Sequence, residues 1–481
     1  MNFQSTEKKN YIFYIPGEKY YSRFIRLIDR MGYGSLMEVT TDLSKAKKYK
    51  HFFMPYILHL EHPNLAITDP LLIKVHKIPN SIILYDYSTE SVNFESSITN
   101  KFIDLHTILV NENFDMQRIV FLTANSVLQN YYKKWAEENN LDYLIKVVGF
   151  NFYIYEVFCD LANDNWFKEN SEKFLEDACL EKKNSSTKKK FFYTSLNLRP
   201  RTHRSTIMSY LISNFYLDKG YVSYFGEEFG SLDVSSVNSI FQTKDFIAKL
   251  NNSEKLLKAY DLLLKKSPIY ADKISNEMRD LAYNNLIDGK GYSSYMFPEA
   301  NKKNNTMGAN SYFEIITETW FSDNKNLFFS EKTIRAITRM QFFIFSGCPF
   351  SLKYLKSIGY KTFEPFIDES YDLEINPIKR IELINKEIGK LCELSISDID
   401  KLYKNLFPVI EHNYKHFLTK TPEIFSDELN DNFLNILDSF DSLKLIKSRN
   451  NFTPVFSSIL SKLRKDNFLR DKEVIKFPFR S

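Results

Sequence analysis

The sequence predicts an α/β protein with two domains, each built on a parallel β-sheet, and three observations support this. The chain has 481 residues, which is more than a single hydrophobic core normally accommodates. Short apolar runs alternate with helical patterns over residues 1–160, and the alternation begins again after a polar, basic segment. Strands that alternate with helices are typical of a parallel sheet covered on both faces.

Four apolar runs predict buried strands in the first domain, residues 1–180. Helical periodicity lies between two of these runs, over residues 126–140. An unbroken apolar run also fits a buried helix, so the pattern alone leaves that alternative open. The four predicted strands are NYIFYIP (10–16), SIILYDY (81–87), RIVFLTA (118–124) and LIKVVGFNFYIY (144–155).

Residues 181–190, EKKNSSTKKK, predict a linker, because this segment contains no apolar residue to bury. The alternative is a basic patch that contacts phosphate or lipid. The second domain, residues 191–400, restarts the alternation, and residues 401–481 predict a helical extension. Its predicted elements are a strand at 190–196, a helix from near His203, a helical insertion at about 243–310, a strand at 341–347, a helix ended by Gly359 and a short strand at 360–363.

Composition and charge exclude several classes of protein. A net charge of +4 is smaller than the basic excess usual in nucleic-acid-binding proteins, so no nucleic-acid partner is expected, although the overall balance says little about partners. The four cysteines and eight histidines show no metal-ligand or disulfide spacing, which predicts a reducing compartment and no metal site. No apolar run has the length of a signal peptide or of a transmembrane helix, so we expect a cytoplasmic protein. The basic tail at 444–481 fits either a packed helix or peripheral contact with the inner face of a membrane.

The turn Ser330–Glu331–Lys332–Thr333 has the residues of an anion site. It lies where a loop becomes a helix, and the backbone N–H groups at a helix start attract anions. Lys332 supplies a charge toward a phosphate and Thr333 a hydroxyl, while the Glu331 carboxylate suits the two hydroxyls of a ribose. The alternative is an ordinary helix cap with nothing bound, in which Ser330 is the N-cap.

The order of residues around this turn resembles the C-terminal signature of the α-1,3/4-fucosyltransferases and their bacterial and viral relatives. Phe313, Glu318, the Glu331–Lys332 pair, Ala336 and Gly347 fall on the positions of that signature. The resemblance implies a GT-B architecture, in which two Rossmann-like domains face each other and the second holds a nucleotide-sugar. It also implies that Glu331 binds the ribose and Lys332 the diphosphate. Thr319, Arg335 and Phe343 depart from the family, which has Asn, Asn and Pro there.

A second stretch, residues 191–226, resembles the strand, loop and helix that open the nucleotide domain of the same family. Ser195, Asn197 and Arg204 occupy the matching positions. The resemblance places Arg204 beside the leaving diphosphate, whose charge it would neutralise without a metal. Arg199 and Arg201 are rivals for that role, and a solvated basic loop is the alternative.

The first domain is expected to hold the acceptor and, for an inverting reaction, a carboxylate base. Asp86 and Glu90 follow one predicted strand, and Glu18 follows another, although each also fits a helix cap or plain surface. The sequence thus predicts a metal-independent glycosyltransferase with a GDP-fucose-like donor and a carbohydrate or glycolipid acceptor. The alternatives are a transferase of the same fold with CMP-Kdo or a UDP- or GDP-hexose, and a non-catalytic glycan- or nucleic-acid-binding protein.

Overall fold

The computed structural model of the protein describes residues 11–17, 20, 22–58, 68–89, 101–141, 144–163, 188–197, 200–224, 226, 235–269, 310–321, 326–364 and 366–440. Within these residues the chain is an α/β protein with two separate parallel sheets, as predicted. Helices pack against both sheets, and the arrangement is compatible with two Rossmann-like domains.

The first sheet has six parallel strands in the order β2-β1-β3-β4-β5-β6. The chain places β2 on one side of β1 and then β3 on the other side. The carboxyl ends of β1 and β3 therefore form a topological switch point, the usual place for a ligand in an open parallel sheet. The strands are β1 (Tyr11–Tyr14), β2 (Met37–Thr40), β3 (Phe52–Ile57), β4 (Ser81–Tyr87), β5 (Ile119–Thr123) and β6 (Lys146–Gly149).

Short helices connect these strands, and several begin at a polar cap. Ser22, Asp42 and Asp69 each accept a hydrogen bond from a backbone N–H in the first turn that follows. These caps fix where each helix leaves the edge of the sheet. The helices are α1 (Arg23–Ile28), α2 (Leu43–Ala46), α3 (Pro70–His76), α4 (Lys101–Asn111), α5 (Leu128–Glu138) and α6 (Phe152–Asn163).

The prediction of a strand through residue 155 is wrong in its second half. β6 ends at Gly149, and α6 begins at Phe152. Phe152 and Tyr155, in the first turn of α6, are both buried. Neighbouring elements cover this helix on several sides. A helix buried all round has no polar face, so its sequence lacks the periodicity that separates helix from strand.

The second sheet has four parallel strands in the order β10-β9-β7-β8. The chain again places its second strand on one side of the first and its third strand on the other. A second switch point therefore lies between the carboxyl ends of β7 and β9. The strands are β7 (Phe191–Asn197), β8 (Gly220–Tyr224), β9 (Ser311–Thr317) and β10 (Phe342–Ser346).

Five α-helices of the described residues lie between β7 and residue 357: α7 (Thr202–Ser213), α8 (Ser235–Ala248), α9 (Ser253–Lys266), α10 (Glu331–Thr338) and α11 (Ser351–Ser357). The helical insertion predicted from residue 243 begins earlier, at Ser235, and residues 270–309 lie outside the described residues. The strand predicted at 360–363 is wrong, because these residues take no regular structure. Gly359 ends the preceding helical segment with φ 96°, as predicted.

The C-terminal helices connect the two domains. α12 (Pro377–Glu393) lies on the second sheet, and α13 (Ile396–Glu428) continues through a π-helical turn (Leu429–Leu434) into α14 (Asn435–Phe440). The ring of Phe433 packs against Phe24 of α1 with centroids 4.9 Å apart. The predicted boundary at 401 falls inside α13, so the extension begins as part of a continuous helix.

The basic tail at 444–481 and the linker residues 181–187 lie outside the described residues. None of the helices within the described ranges is long and apolar enough to cross a membrane.

Candidate functional site

Polar side chains gather where β7 and β9 end, at the second switch point. The Thr317 hydroxyl donates to Asn197 Oδ1 at 2.6 Å, and Asn197 Nδ2 donates to Ser195 Oγ at 3.2 Å. All three side chains are buried. The structure therefore uses Ser195 and Asn197, which the sequence placed in the nucleotide site, to tie the ends of the two strands together.

Arg204 lies in the first turn of α7, directly beside these strand ends. Its Nη2 donates to the carbonyl oxygens of Thr317 at 3.1 Å and Glu318 at 3.2 Å. Burial, together with the nearby charge of Arg201, lowers the pKa of Arg204 to about 9. A guanidinium that is buried against carbonyl groups favours an anion beside it, because an anion would compensate its charge.

His203 and Arg201 extend this basic corner, whereas Arg199 lies outside the described residues. His203 Nε2 is 2.9 Å from the carbonyl oxygen of Glu318 and therefore donates to it. Burial and the charges of Arg204 and Arg201 lower the pKa of His203 well below its usual value, so its ring is neutral. Half-buried Arg201 immediately precedes α7 and remains a candidate for contact with an anion.

Glu318, predicted as a ligand contact, holds the start of α10. The side chain is fully buried, with 0% exposure. Its Oε1 accepts from the Ser330 N–H at 3.0 Å and from the Thr333 hydroxyl at 2.7 Å, and its Oε2 accepts from the Ser330 hydroxyl at 2.6 Å. The Glu318 carboxylate and the Thr333 hydroxyl are thus hydrogen-bonded to each other, and both hold the turn in place from its buried side.

Glu331 and Lys332 are the charged groups of this turn that keep some exposure, 20% and 15% of their side chains. Lys332 Nζ lies 2.8 Å from Glu331 Oε1 and 3.2 Å from Ser330 Oγ. Burial raises the pKa of Glu331, but the paired Lys332 and the nearby Arg335 outweigh it, and the net pKa is lowered. The turn therefore presents an ionised pair at the switch point.

The interpretation of Ser330 as an N-cap is confirmed. Its hydroxyl accepts from the Lys332 N–H at 3.3 Å. Glu318 joins the starts of α7 and α10. Its carbonyl oxygen accepts from Arg204 Nη2 at 3.2 Å, and its carboxylate accepts from the Ser330 N–H at 3.0 Å. Two helix N-termini are therefore held by the same residue.

A buried ion pair, which was not predicted from the sequence, attaches α10 to β9. Arg335 Nε donates to Glu314 Oε1 at 2.8 Å, and Arg339 Nη1 lies 3.8 Å from Glu314 Oε2. Glu314 is fully buried in the middle of β9. The signal was present in the sequence, because a charge inside an apolar strand requires a buried partner. Arg335, one of the departures from the family signature, therefore has a structural role.

In the first domain, Asp86 lies at the carboxyl end of β4 and is buried. Its Oδ1 accepts from the Ser88 N–H at 2.9 Å, and its Oδ2 lies 3.5 Å from the Phe24 nitrogen at the start of α1. The Asp86 carboxylate thus accepts hydrogen bonds from a turn and from the start of a helix, as in the helix-cap alternative that the sequence left open. Glu18 and Glu90, the other candidate bases, lie outside the described residues.

Segments that follow strand ends of the two sheets contact each other. Tyr354 of α11 and Asn151, which follows β6, both donate to the carboxylate of Glu428 at the end of α13. Burial raises the pKa of Glu428. No sequence signal reveals this network, because Asn151 and Glu428 are separated by 277 positions. The carboxyl ends of both sheets therefore border the same interdomain space.

Two further concave regions lie away from this cluster. A cavity of about 590 Å³ lies at the far end of α7, beside Asn214, Lys255 and Lys386. A second, of about 500 Å³, lies between α12 and the start of α13, beside Glu387 and Lys401. Neither is lined by a residue that the sequence placed in the donor site.

Within the described residues, no group of three or more His, Cys, Asp or Glu side chains is arranged to hold a metal ion. The chain matches no protein-family model, no curated protein and no solved structure.

Proposed function

We propose that the protein is a GT-B glycosyltransferase that binds a nucleotide-sugar at the carboxyl ends of β7 and β9. One observation carries the proposal. Arg204 and the turn that carries the Lys332–Glu331 pair are both attached to Glu318 at the switch point of the second sheet, and the segment before this turn contacts the first domain. Ligands of open parallel sheets bind at this kind of position. Two helix starts and two cations are suited to the diphosphate of such a donor.

In the proposed reaction the acceptor hydroxyl attacks the anomeric carbon, and the nucleoside diphosphate leaves with the electrons of the broken bond. Arg204 and Lys332 stabilise the charge that builds up on the leaving diphosphate. Glu331 accepts hydrogen bonds from the ribose hydroxyls and fixes the nucleoside. Ser195, Asn197, Glu318 and Thr333 do not contact the donor in this scheme, since their side chains bond to each other or to nearby strand and turn residues.

The acceptor binds against the first domain in this proposal, and the base comes from a loop at the carboxyl ends of its strands. Glu18 and Glu90, which lie outside the described residues, follow β1 and β4 in the sequence and are the proposed candidates. Asp86 is the weaker candidate, because backbone N–H groups occupy its carboxylate. A GDP-linked sugar such as GDP-fucose is the proposed donor, with CMP-Kdo and UDP- or GDP-hexoses as the alternatives.

A nucleotide-release assay tests the function. The protein is incubated with GDP-, UDP- and CMP-sugars and a mixture of carbohydrate acceptors, and the freed nucleotide is measured. We expect release from one donor class and a loss of about 100-fold or more in rate for Arg204→Met, since a charge aimed at the leaving group is removed.

Arg118→Met is the matched control for this assay. Arg118 also donates to backbone carbonyls, those of Ile78 at 2.7 Å and His76 at 3.0 Å, but it lies at the amino end of β5. We expect this variant to retain activity. The absence of release from every donor, or equal rates for wild type and Arg204→Met, would contradict the proposal.

A further inference from the structure

The first domain forms hydrogen bonds with both backbone polar groups of Leu327, a residue of the second domain. The Leu327 N–H donates to Asn125 Oδ1 at 3.1 Å, and the Ser126 N–H donates to the Leu327 carbonyl at 3.3 Å. Leu327 and Asn125 are both buried. Leu327 thus satisfies its backbone as a residue in a β-ladder does, although its partners belong to the other domain.

Leu327 belongs to residues 326–330, the segment that leads into α10. Three positions later, the N–H and hydroxyl of Ser330 are held by Glu318, at the end of β9. Only three residues separate the two anchors, so the anchors cannot move apart beyond the roughly 10 Å that three extended residues span. We therefore expect a displacement of Leu327 to disturb the turn that carries Glu331 and Lys332.

Aromatic contacts fix the middle of the segment in the same way. The ring of Phe328 packs edge-on against Tyr153 of the first domain at 5.9 Å, and the ring of Phe329 stacks on Tyr354 of α11 at 5.7 Å. Consecutive residues of this segment therefore face different domains. The segment is a connection between domains as well as a part of the turn.

Asn125 is itself held rigidly by the first sheet. Its Oδ1 also accepts from the Val127 N–H at 3.2 Å, which closes the turn before α5. The turn lies directly on Gly149 at the end of β6, where a Cβ would lie 2.7 Å from both the Asn125 carbonyl oxygen and Ser126 Cα. Only glycine allows this approach, so the first sheet determines where the Asn125 side chain stands.

We propose that Asn125 is a positioning residue that couples the first domain to the donor site. It holds residues 326–330 in the conformation in which Glu331 and Lys332 bind the nucleoside diphosphate of the donor. Donor affinity then depends on the placement of the first domain. By reciprocity, a bound donor steadies the contact between the domains. The identity of the ligand rests on the proposed function, whereas the mechanical coupling does not.

Hydrogen exchange and nucleotide titration test this on Asn125→Ala, with Asn125→Asp as the matched control. The alanine variant loses the acceptor of the Leu327 and Val127 N–H groups, whereas aspartate keeps an oxygen in the same place. We expect faster exchange over residues 327–332 and roughly ten-fold weaker GDP, UDP or CMP binding in Asn125→Ala. We expect Asn125→Asp to remain close to wild type in both measurements.

Gly149→Ala provides a second variant in case Asn125→Ala does not fold. The added methyl displaces the Asn125 turn, so both readouts are expected to move in the same direction, to a smaller extent. The proposal is overturned if nucleotide affinity is unchanged in both variants, or if aspartate behaves like alanine. If wild type binds no nucleotide, the proposed function fails. The coupling is then decided by exchange alone, and unchanged exchange over residues 327–332 refutes it.

Discussion

Glu318 is the residue on which the geometry of the candidate site depends. It is buried without a cationic hydrogen-bond partner, and three donors from Ser330 and Thr333 satisfy its carboxylate. Hydrogen bonds to its oxygens make such burial tolerable. The same bonds hold Lys332 and Glu331 at the edge of the sheet. The carboxylate thus acts on a ligand only through the turn that it positions.

Replacement of Glu318 by alanine is expected to destabilise the protein strongly. It leaves three buried donors without an acceptor, and we expect the free energy of unfolding to fall by about 3 kcal/mol or more. Glu318→Gln keeps one oxygen in place and is expected to cost less. Urea denaturation measures both values.

Glu254→Ala is the control for this prediction, because Glu254 forms an exposed pair with Lys258 on α9. Its free energy of unfolding should stay close to wild type. If Glu318→Ala is as stable as Glu254→Ala, then the three hydrogen bonds do not hold the turn.

At the scale of single residues, the sequence predicted the N-cap at Ser330 but not the hydrogen bonds of Glu318 and Thr333. Ser330 as a cap and Lys332 and Glu331 as its charged groups follow from local chemistry, which a short motif carries. The roles of Glu318 and Thr333 do not follow from local chemistry. The sequence does not distinguish a side chain that bonds to the protein interior from one that bonds to a ligand. Only the fold decides which way it points.

At the scale of elements, β4 and β5 were predicted within a residue or two, because each is a mostly apolar run that is buried along nearly all of its length. β2 and β3 were not predicted. β2 has only four residues and is partly exposed, and β3 contains Pro55, a residue that usually argues against a central strand. The pairing of β3 with β1 is limited to Phe53 and Phe13, which leaves the β1 side of Pro55 unpaired within the described residues.

His412 and His416 on α13 cap the segment that ends α11. Their Nε2 atoms lie 3.0 Å and 2.8 Å from the carbonyl oxygens of Gly359 and Ile358, so both donate to them. Burial lowers the pKa of His416 to about 4, whereas its ordinary value is 6.5. Gly359 is required at this contact, because a Cβ there would lie 2.3 Å from the His416 ring.

This contact predicts a pH dependence of stability. Between pH 6.5 and about 4 the unfolded chain binds a proton at His416 that the folded chain does not. The free energy of unfolding therefore falls as the pH is lowered through this window, by up to about 3 kcal/mol from this residue. Urea denaturation of wild type and His416→Gln over this pH range isolates the contribution.

Glu369 acts in the opposite direction, since burial raises its pKa to about 6 and stability is lost as this carboxyl ionises. The difference between wild type and His416→Gln is therefore the quantity to measure. We expect that difference to shrink as the pH falls. A difference that is independent of pH would show that His416 does not stay neutral in the fold.

At the scale of the whole molecule, two parallel sheets, each with its own switch point, border one interdomain space. The composition break at 181–190 and the restarted alternation were enough to predict two separate sheets. The contacts that join them were not predictable, since Asn125 and Leu327 are 202 positions apart and carry no charge or motif. The end of α13 is fixed to the first domain by rings, such as Phe425 on Tyr155 at 4.9 Å, which composition alone cannot pair.

The most direct test of the central claim is calorimetric titration of the wild-type protein with GDP, UDP and CMP, repeated on Lys332→Ala and Lys258→Ala. Lys332 lies beside the proposed diphosphate, whereas Lys258 forms an exposed pair with Glu254, 2.6 Å away, on α9. We predict that one nucleotide binds wild type and Lys258→Ala equally and binds Lys332→Ala about ten-fold or more weakly. If no nucleotide binds, or if Lys332→Ala binds as wild type does, the carboxyl ends of β7 and β9 are not a nucleotide-sugar site.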